Sequence, residues 1–405
     1  MPSGSVGYAE SPVINDARYI YIACPWTPVG GGMFKVADYL IQSQADGLPA
    51  DAAQLRPLDT RGAGRAVFSL WFLLLAVVRI AMGRLDRRLA GVHVNMGERM
   101  SLFRKGSVIV ACAALAVPSV LHLHAQMQGF YGRLPVPLRR LTRWMFSLPQ
   151  AVIVIGPAAR TFVVDVLRVP ADRVHVIVNG VPEPHGVPMP AAVDARTRIL
   201  FLGSLSEQKG LTDLLVALAD PVFEGAHLDV TIAGNGDVPG YQAKARELGV
   251  DHVVRFEGWC DQTKVSRLLA SCDMLVLPSR DEVLPLAILE ALAHSVAVVT
   301  TTVGEIPSLL SDGVNAVFVT AGDPASIAAG MQKVLTEPGL MRSLSRNGRA
   351  LYASQFCLAR FFANVAAVHL RYFGIAGQLK ESLRPAQGYD SPAGVVEKGR
   401  RSAVV

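Results

Sequence analysis

Short apolar runs alternate along the chain with segments whose hydrophobic residues have helical spacing. The first series of runs occupies residues 19–23, 92–94, 120–123, 152–155 and 174–178. A second series follows at residues 199–202, 228–232, 253–256, 274–277, 296–300 and 316–319. Alternating strands and helices are typical of a parallel sheet that is covered by helices on both faces. The pattern therefore predicts an α/β fold with two Rossmann-like domains.

A proline-rich stretch at residues 182–190 separates the two series and is the predicted linker. It divides the chain into an N-terminal domain at 17–190 and a C-terminal domain at 191–355. The 405 residues are enough for two hydrophobic cores. Residues 1–16 and 377–405 are polar and aperiodic, so both termini are predicted to be disordered.

An apolar segment at residues 66–82 is a candidate for a membrane span. Its uncharged part, 66–78, is shorter than the ~18–20 residues that a bilayer requires, and Arg79 follows directly. The segment is therefore predicted to be a helix that is either buried in the core or lies at a membrane surface. Both readings stay open at this point.

Positive charge is concentrated around this segment. Between Arg61 and Arg143 there are thirteen Lys and Arg residues against two acids, Asp86 and Glu98. Such a concentrated field predicts a polyanionic partner. Because no nucleic-acid-binding motif accompanies it, we expect a membrane surface as the partner and no nucleic acid.

The five cysteines are scattered and lack the spacing of a metal site or a disulfide framework. The first residues lack the basic-then-apolar order of a signal peptide. Both observations predict a cytoplasmic location. Together with the basic field, they predict peripheral attachment to the inner face of the cytoplasmic membrane.

Two glutamates give the clearest indication of chemistry. Glu282 and Glu290 follow the run at 274–277, and Pro285 between them suits the first turn of a helix. Glu282 is thus predicted to lie in the loop before that helix and Glu290 within the helix. Because ligands bind at the carboxyl edge of open α/β sheets, one carboxylate can face a ligand while the other reaches a pair of hydroxyls.

The segment that contains both glutamates, SRDEVLPLAILEALA, resembles the Glu-x7-Glu motif of the family 4 retaining glycosyltransferases of GT-B fold. Residues 201–218, 230–236, 253–259 and 301–319 resemble other segments of that family's donor domain, in the same order. Residues 356–376 are similar to its closing helix, which returns to the N-terminal domain. The resemblance implies retaining transfer of a hexosyl group from a nucleotide-sugar donor, a UDP- or GDP-sugar, to an acceptor.

The same resemblance implies a role for several residues. Glu290 is expected to bind the ribose hydroxyls, and Glu282 to lie beside the transferred sugar. Lys209 is expected to stabilise the leaving diphosphate, and His124 to touch the donor sugar. The backbone around the donor is expected to come from Gly31, Gly32, Val283, Leu284, Pro285 and Leu286.

One position departs from the family pattern. Ser204 stands where the family has an arginine that binds the diphosphate, so the donor site loses a bidentate cation. Either another basic residue takes its place, or backbone amides near Gly31, Gly32 and the helix after Pro285 contribute more.

The acceptor is predicted from the N-terminal domain. The segment 66–82 and its arginine-rich flanks predict a polyprenyl-diphosphate-linked oligosaccharide of a surface polysaccharide pathway. Catalysis is predicted to need no metal and no cofactor, because no Asp-x-Asp pair follows a strand. Two alternatives remain open: a GT-B sugar-nucleotide epimerase or hydrolase, and a degenerate GT-B scaffold without activity.

Overall fold

The computed structural model describes residues 18–26, 31–44, 52–62, 69–184 and 196–377. The predicted disordered termini lie outside these residues except for Gly377, and so do residues 185–190 of the predicted linker. The domain boundaries given above remain predictions.

Two parallel six-stranded sheets form the fold. The strands of the first are β1 Tyr19–Cys24, β2 Gln54–Asp59, β3 Leu89–Met96, β4 Ser119–Leu123, β5 Ala151–Val154 and β6 Val174–Val176. The strands of the second are β7 Thr197–Leu202, β8 Leu228–Ala233, β9 Val254–Gly258, β10 Met274–Leu277, β11 Ala297–Thr301 and β12 Val317–Val319. The two sheets confirm the predicted fold class, two Rossmann-like units of α/β type.

Helices follow most of the strands. Those of the first half are α1 Gly32–Gln42, α2 Ser69–Leu85, α3 Met100–Ala114, α4 Met127–Arg133, α5 Val136–Ser147 and α6 Pro157–Thr161. Those of the second half are α7 Leu211–Leu218, α8 Val238–Glu247, α9 Gln262–Ser271, α10 Leu286–Ala293, α11 Ile306–Leu309, α12 Pro324–Thr336, α13 Leu340–Leu351 and α14 Leu358–Phe373.

The strand order places a switch point in each sheet. The first sheet runs β2-β1-β3-β4-β5-β6 and the second runs β12-β11-β10-β7-β8-β9. The chain direction across the sheet therefore reverses between β1 and β3, and again between β7 and β10. Crevices for ligands open at the carboxyl ends of such strand pairs.

Strand β2 was missed by the hydrophobic pattern. Its sequence, QLRPLD, carries charges and Pro57, and only half of its residues are apolar. The strand pairs in parallel with β1 at the edge of the sheet. An edge strand tolerates both proline and polar residues, because one side of its backbone needs no partner strand.

Helix α2 covers the segment 66–82 from Ser69 onward, residues 66–68 lying outside the described residues, and it tests the reading of a buried core helix. Only Ser69, Ala76, Ile80 and Gly83 are buried. Six apolar side chains are instead 44–80% exposed: Leu70, Trp71, Leu74, Val78, Met82 and Leu85. The reading of a plainly buried core helix is therefore wrong, and we call these six residues the apolar face of α2.

Helix α14 returns from the second half of the chain to the first sheet, where it packs against β4. Its Phe373 lies directly over Gly91 of β3, where an added Cβ would come within 2.4 Å of the ring. Phe361 of the same helix approaches Gly180 in the same way, at 2.7 Å. Two glycines thus provide the space in which α14 rests on the N-terminal half.

A buried glutamate also joins the two halves. Glu305, just before α11, accepts hydrogen bonds from the backbone N–H groups of Ala158 (3.1 Å) and Ala159 (2.7 Å) in α6. A carboxylate is favourable there because the first amides of a helix have no partner within it. The contact fixes how the two carboxyl edges face each other.

Candidate active site

The two switch points face one another across a cavity of about 440 Å³. The second sheet contributes the loop after β7, the loop between β10 and α10, and the first turn of α10. The first sheet contributes the start of α1 and the end of β4. The cavity is therefore formed where the topology alone places a ligand site.

All the residues that the sequence assigned to the site line this single cavity. They are Gly31, Gly32, His124, Ser204, Lys209, Glu282, Val283, Leu284, Pro285, Leu286 and Glu290. These residues come from five separate segments of the chain. Their convergence is a finding of the structure, and the role of each remains a prediction.

Two glycines of the segment 230–236 determine the wall beside β7. An added Cβ on Gly234 would lie 1.6 Å from the carbonyl oxygen of Gly203, and one on Gly236 would lie 2.7 Å from Leu205. The loops after β7 and β8 therefore touch backbone to backbone. This close approach leaves Ser204 at the rim and the cavity open.

Glu282 and Lys209 form an ion pair at the cavity wall. Glu282 lies in the loop after β10, and Lys209 ends a short 3₁₀ turn before α7. Burial lowers the pKa of Lys209 to about 8, against the opposing effect of the nearby Asp281. Lys209 thus carries a positive charge at neutral pH in a partly desolvated position, where charge acts strongly on a ligand.

Glu290 lies deeper, on α10, and is 3% exposed. Its Oε1 accepts hydrogen bonds from Lys35 Nζ at 3.2 Å and from Gln262 Nε2 at 3.3 Å. Lys35 belongs to α1, so this ion pair joins the two halves of the molecule across the cavity. The buried carboxylate is held in place and is able to accept hydrogen bonds from a bound ligand.

His124 lies at the end of β4, and its Nε2 is 2.9 Å from Asn95 Oδ1. Asn95 donates its own Nδ2–H to the carbonyl of Ala23, which fixes the amide orientation. We therefore assign the proton of His124 to Nε2, with Nδ1 as a hydrogen-bond acceptor. Burial lowers the pKa of His124 to about 3, so the ring is neutral at physiological pH.

Three further histidines extend from His124 into the core. The rings of His122 and His124 have centroids 4.0 Å apart. His93 lies 3.2 Å from His122 through Nε2 and 2.8 Å from His369 of α14 through Nδ1. Burial lowers the pKa of all three, that of His93 to about 3. The row of neutral rings connects α14 to the cavity.

Comparisons with known proteins agree with this arrangement. A family model described as Glycosyl transferases group 1 matches residues 196–337, and one described as Glycosyltransferase Family 4 matches residues 69–183. Together the two matches cover more than half of the chain. The chain belongs to the family 4 glycosyltransferases of GT-B fold.

Two curated relatives illustrate the relationship. An uncharacterised glycosyltransferase of Methanocaldococcus jannaschii is 30% identical over 211 residues, which cover 49% of this chain and 54% of the relative. The glycogen synthase of Mycobacterium tuberculosis is 27% identical over 307 residues, 72% of this chain and 73% of the relative. The chain thus aligns with about half the length of the first relative and with nearly three quarters of the second.

Solved structures share the fold of this glycosyltransferase. HepE of Anabaena in complex with UDP and glucose superposes with a TM-score of 0.66 at 17% identity, covering 87% of this chain and 99% of that chain. Sucrose-phosphate synthase of Thermosynechococcus elongatus gives 0.71 at 16% identity, covering 87% and 98%. At this level of identity the likeness shows the fold alone.

Among the residues that line the cavity of this glycosyltransferase, sequence reasoning assigned no site role to the polar or aromatic side chains of Lys35, Asn179 and Trp259. Asn179 is buried, and its Oδ1 has no hydrogen-bond partner among the described residues. Lys35 lies three residues after Gly32 in the first turn of α1. A lysine in the first turn of a helix that follows consecutive glycines indicates an anion site, so the role of Lys35 could have been predicted from the sequence.

Ser204 is exposed, and its hydroxyl oxygen lies 3.3 Å from that of Ser206. Lys35 is the additional basic side chain in the cavity lining besides Lys209. Over the described residues, no group of three or more His, Cys, Asp or Glu side chains is arranged to hold a metal ion. Within the same ranges, no helix has both the length and the apolar character needed to cross a membrane.

Proposed function

We propose that this glycosyltransferase transfers a hexosyl group, with retention, from a UDP- or GDP-sugar to a lipid-linked oligosaccharide acceptor. The observation that carries the proposal is the convergence of Glu282, Lys209, Glu290 and His124 on one cavity at the two switch points. The Anabaena neighbour, whose structures contain UDP or UDP-glucose, supports a uridine nucleotide as the first donor to test.

In the proposed complex Glu290 binds the ribose hydroxyls, because it is the deepest carboxylate of the cavity. The diphosphate then lies between Lys209 and Lys35, which come from opposite walls. Each lysine exchanges its glutamate partner for phosphate oxygens when the donor binds. Lys35 takes the place of the arginine that the family has at position 204.

The sugar lies between Glu282, the backbone of residues 283–286 and His124. The Nδ1 atom of His124 accepts a hydrogen bond from a sugar hydroxyl, since Asn95 holds the proton on Nε2. A neutral histidine acts here as an orienting group and not as an acid. As the glycosidic bond breaks, the ammonium of Lys209 stabilises the charge that develops on the leaving diphosphate.

We propose that no metal ion is required, because two lysines supply the positive charge that a divalent ion would otherwise bring to the diphosphate. The test is a panel of UDP- and GDP-sugars incubated with the enzyme, with and without acceptor, in excess chelator. Full activity in chelator is expected. Release of free sugar or an epimer alone, at equal rate with and without acceptor, would favour the hydrolase or epimerase, and no turnover at all would favour the scaffold.

A second part of the proposal places the N-terminal half at an anionic membrane surface. The apolar face of α2 continues onto α3, which carries the exposed Met100 and Phe103 and packs against both α2 and α5. Helix α5 adds the exposed Trp144. Exposed apolar side chains next to arginines are typical of helices that lie in a membrane interface.

Co-sedimentation with phosphatidylglycerol vesicles tests this attachment. The triple variant R84Q/R87Q/R88Q should bind less, and binding of the wild type should fall as salt rises. The control is R246Q/R342Q/R346Q, which removes the same charge from exposed positions of the second half. Equal binding of both variants, or no binding of the wild type at low salt, contradicts a membrane role for this surface.

A further inference from the structure

A second charged cluster lies at the carboxyl edge of the first sheet, outside the donor cavity. Arg61 follows β2, while Arg104 and Lys105 lie in the second turn of α3. We call these three residues the basic cluster. Lys105 is fully buried and donates a hydrogen bond from Nζ to Thr60 Oγ1 at 2.6 Å.

In the part of the chain that the structure describes, the basic cluster forms no ion pair with a carboxylate. Asp59 is the acid beside it, but its oxygens accept hydrogen bonds from the backbone N–H groups of Trp26, Arg61 and Gly62 at 2.9–3.3 Å. Among the described residues no ion pair joins Asp59 to any of the three cations. Three positive charges and one committed carboxylate leave an excess of positive charge at this edge.

Arg104 shows the same lack of a partner. Its Nε is buried and has no hydrogen-bond acceptor among the described residues. Burial lowers the pKa of Arg104, and the charge of Arg61 close by lowers it further. A buried donor without an acceptor is costly, because buried polar groups normally find a partner. An anion bound between the guanidinium of Arg104 and that of Arg61, which is exposed, removes that cost.

The position of the cluster identifies the class of anion. Lys105 is near enough to His124 that its charge helps to lower the pKa of that ring. On the other side, Arg104 is adjacent in sequence to Phe103, which is exposed beside the apolar face of α2. The cluster therefore lies between the donor cavity and the surface proposed to meet lipid.

We infer that Arg61 and Arg104, with the charge of Lys105 behind them, form a subsite for the phosphate or diphosphate group of the acceptor. The inference rests on the proposed function, since it assigns the acceptor's anionic group to a place between its sugar and its lipid. Arginine pairs bind phosphate oxygens in bidentate fashion. The same chemistry could also hold a phospholipid headgroup, so the test separates these two sources.

The experiment is calorimetric titration of inorganic pyrophosphate into the full chain saturated with UDP, which occupies the donor cavity. The wild type should bind pyrophosphate, and R61Q/R104Q should bind it at least about tenfold more weakly, the effect of roughly one lost charge-assisted hydrogen bond. The control R140Q/R143Q, which removes two exposed arginines of α5, should bind it like the wild type. UDP affinity should be the same in all three proteins.

Equal pyrophosphate affinity in the wild type and in R61Q/R104Q overturns the subsite, as does a lack of binding by the wild type. A fall in UDP affinity in R61Q/R104Q also overturns it, because the cluster would then belong to the donor. If R61Q/R104Q loses binding to phosphatidylglycerol vesicles while its pyrophosphate affinity is unchanged, the arginines meet headgroups and not the acceptor. Failure of UDP to bind the wild type would count against the proposed function alone, since the difference in pyrophosphate affinity between the wild type and R61Q/R104Q can still be measured without UDP.

Discussion

The carboxyl edges of the two sheets face each other across the cavity and differ in whether their charged residues form ion pairs. At the edge of the second sheet the charged residues are paired: Glu282 with Lys209, Glu290 with Lys35, and Asp213 with Arg280. At the edge of the first sheet the histidines are neutral, and within the described ranges no ion pair joins the basic cluster to a carboxylate. After the roles proposed for them, we call the edge of the second sheet the donor edge and that of the first sheet the acceptor edge. The donor edge can exchange one ion-pair partner for another, whereas the acceptor edge lacks a negative partner that a ligand can supply.

This difference indicates that the two edges bind an anion in different ways. Paired charges hold their side chains in place when a site is empty, and in the proposed complex a diphosphate displaces a glutamate to bind there. Unpaired buried cations lower the stability of the free protein, and an anion that binds them restores it. Ion pairs at the edge of the second sheet favour the exchange of a glutamate for a ligand. Unpaired cations at the edge of the first sheet favour retention of a ligand that is itself negatively charged.

The largest expected effect concerns the ion pair of Lys209 and Glu282 at the carboxyl edge of the second sheet. Lys209→Met should lower the turnover of sugar transfer by about 10²–10³-fold, the usual loss when one group that stabilises a leaving charge is removed. Glu282→Ala should also act mainly on turnover, since it lies at the sugar. Steady-state kinetics with saturating donor measure both. A change confined to the KM for donor in both variants would contradict these assignments.

The next effect concerns the neutral histidines. A histidine that stays neutral in the folded state binds a proton below pH 6.5 only when the chain unfolds, so stability is lost as pH falls from 6.5 toward the folded pKa of about 3. For each such histidine the loss is about 2 kcal/mol at pH 5. Thermal unfolding at pH 7 and pH 5 should therefore show a smaller pH dependence in His369→Leu than in the wild type.

The matched control for this measurement is His227→Asn, because His227 is exposed in the second half. It should leave the pH dependence unchanged. If His369→Leu keeps the full acid sensitivity of the wild type, the row of histidines is not its source.

A smaller effect tests the replacement of the family arginine. Lys35→Met should weaken UDP binding about tenfold, since one charge-assisted contact to the diphosphate is lost. Adding Ser204→Arg to this variant should restore most of the affinity, because it returns a cation to the same phosphate. Lys244→Met, which removes a lysine paired with Glu247 on α8, is the control.

Restoration by Ser204→Arg separates two roles of Lys35. If Lys35 only orients Glu290, an arginine at position 204 does not help, because it cannot replace that ion pair. A double variant that binds UDP as weakly as Lys35→Met would therefore show that the two positions are not equivalent.

The smallest effect concerns the buried lysine of the acceptor edge. Burial lowers the pKa of Lys105 to about 8, so folding is opposed by its charge at neutral pH and stability rises between pH 8 and its unfolded pKa of 10.5. Lys105→Met should raise the melting temperature at pH 7, by a stabilisation of about 1 kcal/mol after the lost bond to Thr60. The gain should shrink as pH rises to 10.5. A lower melting temperature than the wild type at pH 7 would show that the charge is compensated within the fold.

The sequence was more informative about the carboxyl edge of the second sheet than about that of the first sheet. Glu282, Pro285 and Glu290 are close in the chain, so local spacing was enough to predict a loop and a helix that bring them to one strand end. The same local logic found most strands, because each is a continuous apolar run. It missed β2, whose edge position permits Pro57 and charges.

Long-range contacts explain what could not be predicted. Lys35 and Glu290 are 255 residues apart, and nothing local in either segment indicates the pair. Lys105 stands in a basic sequence that is typical of a surface, yet it is buried against Thr60 of another strand end. Exposure of the apolar face of α2 likewise depends on which neighbours cover the helix. Such facts belong to the tertiary arrangement and not to the spacing of residues.

The central claim is that a nucleotide-sugar donor binds the cavity with its ribose on Glu290. Calorimetric titration of UDP and GDP into the wild type, Glu290→Ala and the exposed control Glu337→Ala tests it directly. We predict one equivalent bound by the wild type and by Glu337→Ala, and an affinity about 10–100-fold lower in Glu290→Ala, from roughly 1.5–3 kcal/mol for a lost charged hydrogen-bond pair. Unchanged affinity in Glu290→Ala, or no binding of either nucleotide by the wild type, would contradict the account.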